Sequence, residues 1–512
     1  MSRAHISDNF LELLKGRCTV DETADATLAQ PGSDDPTAAA TGLRQSLTTW
    51  RLILLVIAAA APMAAVVGIV PVAFAFGNGA GLPLTVLGVC IVLALFSVGY
   101  SAMSRRVVST GAFYSYVTQG LGGVPGLGAA FVAMVSYTII TAGALAYFAY
   151  FAQVAVAAFF GSAPSWIWFA AVGGLLIAAL AYRGIDLSFR VIAVLIIAEF
   201  VVLLCLVVSI IARLGTHAFP GASFTVRSVG TGTPGIAVML VFLLFIGFES
   251  AALYSEETRD PRRSVARATY GAVAVMGAFY ILTTWVTVGA VGSGRIADVA
   301  AQNTGTLYFD LTSDYLAPWV SQLMAVFMAT SMFATALSLH NVAGRYVFAL
   351  GRQRCLPGVL GRTHTRYGGP HHTSVVVSIT LALIIGIGFI AGAPPMVGLG
   401  TVAAGLGTIG VMTLQCLASL AIIGYFRRHG GGAVWPTVVA PLLAFLAMSF
   451  GVFLAVRRFD LISGASNAVV NGLPIVVAVA FAAGAGYGLW VKVRRPDRYR
   501  TVTAHLATES QP

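Results

Sequence analysis

Residues 241–263 read VFLLFIGFESAALYSEETRDPRR, a stretch that places a carboxylate deep within an apolar segment. A long apolar run precedes Gly247, and Glu249 follows two residues later. On membrane-insertion scales, a charged side chain at such a depth costs at least about 2.5–3.5 kcal/mol. The pattern favours a helix that is interrupted near Gly247 and a functional role for Glu249. A purely structural glutamate is the alternative.

Residues 58–71, AAAAPMAAVVGIVP, form a second interrupted apolar segment. Pro62 lacks an amide hydrogen and clashes with the preceding turn, and Gly68 adds backbone freedom. A simple kink would also explain this pattern. However, the two segments lie five spans apart, where the first members of two inverted five-helix repeats would fall. Paired interruptions of this kind are the best sequence indication of a transport site near mid-membrane.

The composition of the chain indicates a membrane protein. Of 512 residues, 58% are hydrophobic and only 10% are charged, whereas a soluble domain carries about 25% charged residues. Lipid must cover part of so apolar a surface, and backbone groups in lipid pair internally, so an all-α polytopic fold is predicted. The net charge of +11 does not indicate nucleic-acid binding, because no run of Lys or Arg exceeds two residues.

Twelve segments are predicted to cross the bilayer, each long enough to supply the roughly 20 residues that a spanning helix needs. They lie at 52–76, 82–103, 124–153, 164–182, 188–212, 233–257, 266–292, 316–350, 373–392, 396–425, 434–456 and 470–491. The expected organisation is a disordered tail at 1–48, two five-helix repeats at 49–215 and 216–429, helices 11 and 12 within 430–493, and a tail at 494–512.

The distribution of basic residues predicts the orientation of these spans. If the N-terminus is cytoplasmic, 25 of the 30 Lys and Arg residues fall on the cytoplasmic side and 5 on the other. Cytoplasmic loops carry an excess of Lys and Arg. We therefore expect a multi-pass protein of the cell membrane with both termini in the cytoplasm, which also requires an even number of spans.

Glu199 is the second acid inside an apolar span, about eleven residues into span 5. No basic residue lies near it in sequence, and an unpaired carboxyl group in a low-dielectric environment favours its neutral form. Glu199 is therefore a candidate proton carrier. The alternative is a neutral acid that is hydrogen-bonded to a neighbouring helix.

Neither a cofactor nor a resident metal is predicted from the sequence. The five cysteines have no disulfide or metal-ligand spacing, and the pair His371 and His372 has no carboxylate or cysteine near it in sequence. A phosphate-binding loop of the GxxxxGK[ST] type is also missing, so ATP is not expected to drive this chain.

Four motifs carry a resemblance to a known family. They follow spans 2, 4, 6 and 8 in turn, and read MSRRVVSTGAFYSYV, LAYRGIDLS, GFESAALYSEETRDPRRSVARAT and AGRYVFALGRQRCLP. Between about Leu52 and Arg428, the chain resembles the amino acid–polyamine–organocation superfamily. The resemblance implies the LeuT-type fold: a 5+5 inverted repeat with broken helices 1 and 6, plus two extra C-terminal helices. It also implies a permease for amino acids or related amines.

By this resemblance, the substrate would lie between the broken helices, with a contribution from span 3. The residues that match these positions are Ala60, Ala61, Met63, Ala64, Ala65, Ile246, Gly247, Phe248, Glu249, Ser250 and Tyr137. Tyr137 could equally serve in packing alone. Ser331 and Thr335, one turn apart on span 8, could serve a sodium-like site.

The sequence departs from the family pattern at two places. Proton-coupled relatives carry a titratable lysine near the position of Glu199, and an acid cannot supply that positive charge. Many relatives also have a Gly-Ser/Thr-Gly triplet where this chain has Ala64-Ala65-Val66. Val66 would crowd the amides that cradle a substrate carboxylate, which leaves room for polyamines or other organic amines.

The function predicted from the sequence is therefore secondary transport, by proton symport or by exchange, with sodium as the other possible coupling ion. A membrane-embedded enzyme is the alternative of a different class, but it needs a cluster of catalytic groups that this pattern does not supply. A channel would repeat a short filter loop, and the sequence contains no such repeat.

Overall fold

A computed structural model describes residues 48–107, 112–184, 189–248, 251, 258, 260–364, 369–463, 467–497 and 499. The predicted tail at 1–48 falls almost entirely outside these residues, as does most of 494–512. The described residues belong to one compact unit, Gln45–Pro512. Their regular elements are helices, so the prediction of an all-α polytopic membrane protein is confirmed for this part of the chain.

The longer helices are numbered here in chain order. They are α1 Thr49–Ala60, α2 Leu82–Ser104, α3 Ala112–Leu121, α4 Gly123–Phe160, α5 Trp166–Tyr182, α6 Phe189–Leu214, α7 Pro234–Leu244, α8 Pro261–Val291, α9 Ile296–Gln302, α10 Leu307–Tyr315, α11 Pro318–Arg352, α12 His371–Ile390, α13 Thr401–His429, α14 Ala440–Arg457 and α15 Ile475–Arg494. Short α-, π- and 3-10-helical segments connect several of them.

Nine helical stretches of the described chain are long and apolar enough to cross a membrane. Two more apolar helices, α5 and α7, are shorter. Part of the difference from the twelve predicted spans has a structural reason, because Ala64–Ser104 forms one stretch although it turns sharply inside. Gly77 has non-helical φ and ψ of −93° and −121°, and Gly79 has a φ of +51°, which favours glycine.

Helix α4 lies at the centre of the packing and contacts α11, α13 and α15. Small residues allow these close approaches, as is common between membrane helices. A Cβ on Gly407 of α13 would collide with Ile140 and with the Ser136 carbonyl oxygen of α4. On another side of the unit, α8 packs against both α1 and α2.

The first helix is interrupted within the predicted stretch. Helix α1 ends at Ala60, and Ala61 has a φ of +44°, which is unusual for a residue with a side chain. Pro62 explains this end, since a proline removes an amide and disfavours helical geometry in the residue before it. The chain then resumes as a buried π-helical segment, Ala64–Ile69.

A second helix ends within residues 241–263. Helix α7 stops at Leu244, and three residues later Gly247 has a φ of +108°. The hydroxyl group of Tyr280 on α8 donates a 3.1 Å hydrogen bond to the Leu244 carbonyl oxygen. This bond satisfies one carbonyl group that a helix end leaves open. Glu249 and Ser250 lie outside the described residues.

Candidate functional site

The described structure brings Glu199 together with two predicted site residues from distant parts of the sequence. Glu199 on α6 is almost fully buried, with 2% of its surface exposed. The Ser331 hydroxyl group on α11 donates to Glu199 Oε2 at 3.1 Å. The backbone of Met63, just after the interruption of the first helix, lies close to the same carboxyl group.

The local sequence explains why the Met63 amide is available. Pro62 begins the helical segment after Ala61, so the amides of its first turn have no carbonyl group one turn earlier to bond. A buried carboxyl group can accept from such an amide and from a hydroxyl group at the same time. The three groups therefore form a centre that ties α6, α11 and the interrupted first helix together.

Thr335 does not join this centre. Its hydroxyl group donates a 2.8 Å hydrogen bond to the Ser331 carbonyl oxygen on its own helix. Of the two residues predicted for a sodium-like site, the structure therefore brings only Ser331 to Glu199.

The predicted substrate-binding residues of the first helix are buried in the protein. Ala60, Ala61, Met63, Ala64 and Ala65 each expose 8% of their surface or less. The segment Ala64–Ile69 contacts both α7 and α11. All five side chains are small or apolar, so the polar groups that these residues can present to a substrate are backbone groups.

Of the predicted site residues that follow α7, Phe248 makes an aromatic contact. Ile246 and Phe248 are buried, at 8% and 1% exposure. The Phe248 ring meets Phe96 of α2 edge-to-face, with 6.0 Å between the ring centroids. Such edge-to-face pairs are a favoured aromatic arrangement. Gly247, between Ile246 and Phe248, supplies the backbone geometry that turns the chain.

Tyr137 on α4 takes part in a different aromatic group. Its ring stacks on Tyr346 of α11 at 5.4 Å with an interplanar angle of 15°. Tyr346 also meets Tyr114 of α3 at 6.0 Å. Of the residues predicted for the site, Tyr137 is therefore the one held by a stack between α4 and α11.

Two residues of this region were missed by sequence reasoning. Tyr346 follows Arg345 in the motif AGRYVFALGRQRCLP, which was used for the family resemblance and for the orientation of the spans but not for the site. Tyr280, which caps α7, lies in the apolar span 7 with no distinguishing motif. A buried tyrosine usually has a hydrogen-bond partner. A tyrosine in the middle of an apolar span was therefore the sequence feature that could have indicated these two residues.

The chain matches a family model described as amino acid permease over residues 47–501. Among curated relatives, a methylthioribose transporter of Bacillus subtilis is 25% identical over 371 residues, which cover 69% of this chain and 76% of the relative. A branched-chain amino acid permease of Lactococcus lactis is 25% identical over 224 residues, covering 42% and 47%.

An uncharacterized transporter of Mycobacterium tuberculosis is 24% identical over 277 residues, covering 54% of this chain and 58% of the relative. The chain thus spans less than two thirds of that relative's length. The family model, in contrast, extends over most of the sequence, including both interrupted helices and Glu199. On this match, the chain belongs to the amino acid permease family.

Proposed function

We propose that the protein is a secondary active transporter that moves amino acids or related amines across the cell membrane. The family match over residues 47–501 supports this proposal, as do relatives that are named as a transporter and a permease. A polyamine or another organic amine is the alternative substrate. A membrane-embedded enzyme, the alternative of a different class, has no support among these relatives.

The proposed architecture is the twelve-helix LeuT-type arrangement, a 5+5 inverted repeat followed by two helices, with both termini cytoplasmic. Two observations support it. The first helix is interrupted at Ala61, and α7 ends just before Gly247, at corresponding places in the two proposed repeats. The excess of Lys and Arg on one side supports the orientation.

In this proposal, the substrate binds between the interrupted helices. The protein then carries it across the membrane by alternating access. Its site comprises Ala60, Ala61, Met63, Ala64, Ala65, Ile246, Gly247, Phe248, Glu249, Ser250 and Tyr137. An ammonium group would be recognised by Glu249 and by backbone carbonyl groups that the helix ends leave open. The aromatic rings of Phe248 and Tyr137 would bound the apolar part of the substrate.

An uncharged polar substrate is a second candidate. Those predicted substrate residues that the structure describes carry no charge, and their small side chains leave backbone groups as the main polar contacts. The B. subtilis relative named for methylthioribose transport matches over more of this chain than the branched-chain permease does. Methylthioribose therefore belongs beside amino acids and amines in a substrate screen.

Coupling to protons is the part of the proposal that rests on Glu199. Among the described residues, Glu199 is the one acidic residue that lies inside a candidate membrane span. As a neutral carboxyl group, it can accept the hydrogen bond from the Ser331 hydroxyl group. Loss of its proton would leave a buried charge, which favours another packing of the three elements. Sodium, held by Ser331 and Glu199, is the alternative coupling ion.

Uptake by purified protein in liposomes tests these proposals together. Labelled branched-chain amino acids, putrescine and methylthioribose would be offered with an imposed pH gradient, with and without sodium. We expect sodium-independent uptake that is faster at acidic external pH, because protonation of Glu199 accompanies substrate entry. Strict sodium dependence would overturn proton coupling, and the absence of uptake or exchange of every substrate class would argue against the transporter proposal.

A further inference from the structure

A polar cavity lies apart from the Glu199 centre, where the ends of α5 and α11 meet the start of α12. Its volume is about 210 Å³, which is room for several water molecules or a small polyatomic ion. The polar side chains that border it are His340, Asn341, Arg345, Thr373 and Ser374. The cavity reaches the surface beside Gly184, which is exposed.

The start of α12 gives the cavity a positive end of a helix dipole. This helix has 20 residues, and its N-cap position is occupied by Pro370, with no capping side chain among the described residues. The first amides of a helix lack partners within the helix, and the dipole adds a partial positive charge there. Anions bind readily at such helix ends.

Two deeply buried polar atoms border the same cavity without a partner. Ser374 and His340 expose 5% and 1% of their surface. Ser374 Oγ and His340 Nδ1 have no hydrogen-bond partner among the described residues. Asn341 and the Ser374 backbone approach the His340 ring without reaching hydrogen-bond geometry with Nδ1. Buried polar groups are rarely left unsatisfied, so these atoms indicate a bound partner.

The charge around the cavity selects the sign of that partner. The half-buried Arg345 contributes a fixed positive charge, and no acidic residue is among the described residues that line the cavity. Ser374, Asn341 and a neutral His340 can each donate a hydrogen bond. Donors and positive charge on several sides, with an uncapped helix end, match the acceptor oxygens of an oxyanion.

We propose that this cavity binds a phosphate-like oxyanion, as a free ion or as the headgroup of an anionic lipid. The cavity opens beside the exposed Gly184 and is bordered by Arg345, so both a soluble anion and a lipid headgroup are sources to test. The proposal does not depend on which substrate the protein transports, nor on proton coupling at Glu199.

Inorganic phosphate is the first probe. The thermal unfolding temperature of purified, delipidated protein would be measured across a phosphate titration, at constant ionic strength held with chloride. We expect a saturable rise for the wild type, because a ligand that binds the folded state stabilises it. In Ser374→Ala and in Arg345→Gln, the half-saturating phosphate concentration should increase by about tenfold or more.

Arg267→Gln is the matched control, since it also removes one basic charge. Arg267 lies in a separate groove with Arg105 and Arg263, so its half-saturating phosphate concentration should remain within about twofold of wild type. Equal weakening in Arg267→Gln and Arg345→Gln would reduce the effect to general charge screening and overturn the proposal. A phosphate response of wild-type strength in Ser374→Ala would overturn it as well.

Lipid bilayers distinguish the two sources of the oxyanion. The same variants would be reconstituted in nanodiscs of phosphatidylcholine with or without phosphatidylglycerol. Stabilisation by phosphate in pure phosphatidylcholine supports a free ion, whereas stabilisation only by phosphatidylglycerol, lost in Ser374→Ala, supports a headgroup. If neither phosphate nor phosphatidylglycerol raises the unfolding temperature of the wild type, the cavity is not an oxyanion site.

Discussion

The Glu199 centre and the cavity at the start of α12 both bury polar groups, but they satisfy them differently. Glu199 receives a hydrogen bond from Ser331, and the backbone of Met63 lies close to the same carboxyl group. At the cavity, Ser374 Oγ and His340 Nδ1 have no such partner among the described residues. A buried polar group that already has a protein partner needs no ligand, whereas one without a partner calls for a ligand or water.

The comparison predicts that the two regions respond to different probes. Helix α11 carries a residue of each region, Ser331 and His340, which lie about 13 Å apart along the helix axis. Sites at such a separation usually contribute independently to stability. Proton-dependent effects should therefore follow substitutions at the first region, and anion-dependent effects should follow substitutions at the second.

The largest effect is expected for Glu199→Gln. The amide side chain can still accept from Ser331, so the protein should fold, but it cannot exchange a proton. Uptake driven by an acidic external pH should fall by roughly tenfold or more, since coupling of two ligands is typically of this size. The pH profile should flatten while exchange of substrate for substrate survives. An unchanged pH profile in this variant would return Glu199 to a structural role.

Ser374→Asp should separate the second region from the first. An added carboxylate would repel an oxyanion in the cavity, so the phosphate-dependent rise in unfolding temperature should weaken by more than about tenfold. Proton-driven uptake should stay close to wild type. If Ser374→Asp alters the pH profile of uptake as strongly as Glu199→Gln, the two regions are coupled and the comparison fails.

Ser331→Ala tests how far Glu199 depends on its hydroxyl partner. The variant removes a donor to the carboxyl group and should lower the free energy of unfolding by about 1 kcal/mol. Ser331→Thr, which keeps a hydroxyl group, is the control. Chemical denaturation in detergent would measure both variants. Equal stability of Ser331→Ala and wild type would mean that the hydrogen bond from Ser331 to Glu199 adds nothing to stability.

The smallest effect is expected for Gly68→Ala, beside the Glu199 centre. A Cβ on Gly68 would lie 3.1 Å from Cε of Met328, and a flexible methionine side chain can move aside. The cost in unfolding free energy should be about 1 kcal/mol or less. Gly407→Ala is the contrasting variant, because its Cβ would meet the Ser136 backbone oxygen at 2.9 Å. A larger loss for Gly68→Ala than for Gly407→Ala would contradict this description of the packing.

Local chemistry made several features predictable. The interruption of the first helix follows from Pro62, which acts on its own turn and on the residue before it. The apolar spans follow from composition alone, because lipid requires them. The number of spans was less predictable, since turns such as the one at Gly77 join or divide helices without changing their hydropathy.

The partners of the buried polar groups were not predictable. Glu199 could be recognised as a buried acid from the apolar residues around it, and a hydrogen-bonded neighbour was among the alternatives. The identity of that neighbour is a tertiary property, since Ser331 is 132 residues away. Thr335, at an equally suitable position in the sequence, bonds to its own helix instead.

The sequence by itself determined that this chain forms membrane helices, where the first one breaks, and which acid is buried in a span. These properties depend on neighbouring residues, whose chemistry acts over one or two helical turns. Only the tertiary structure decided that the Met63 backbone and Ser331 meet at Glu199, and that Ser374 and His340 share a cavity at the start of α12. Such contacts depend on how helices far apart in the chain pack together, and no local pattern records that packing.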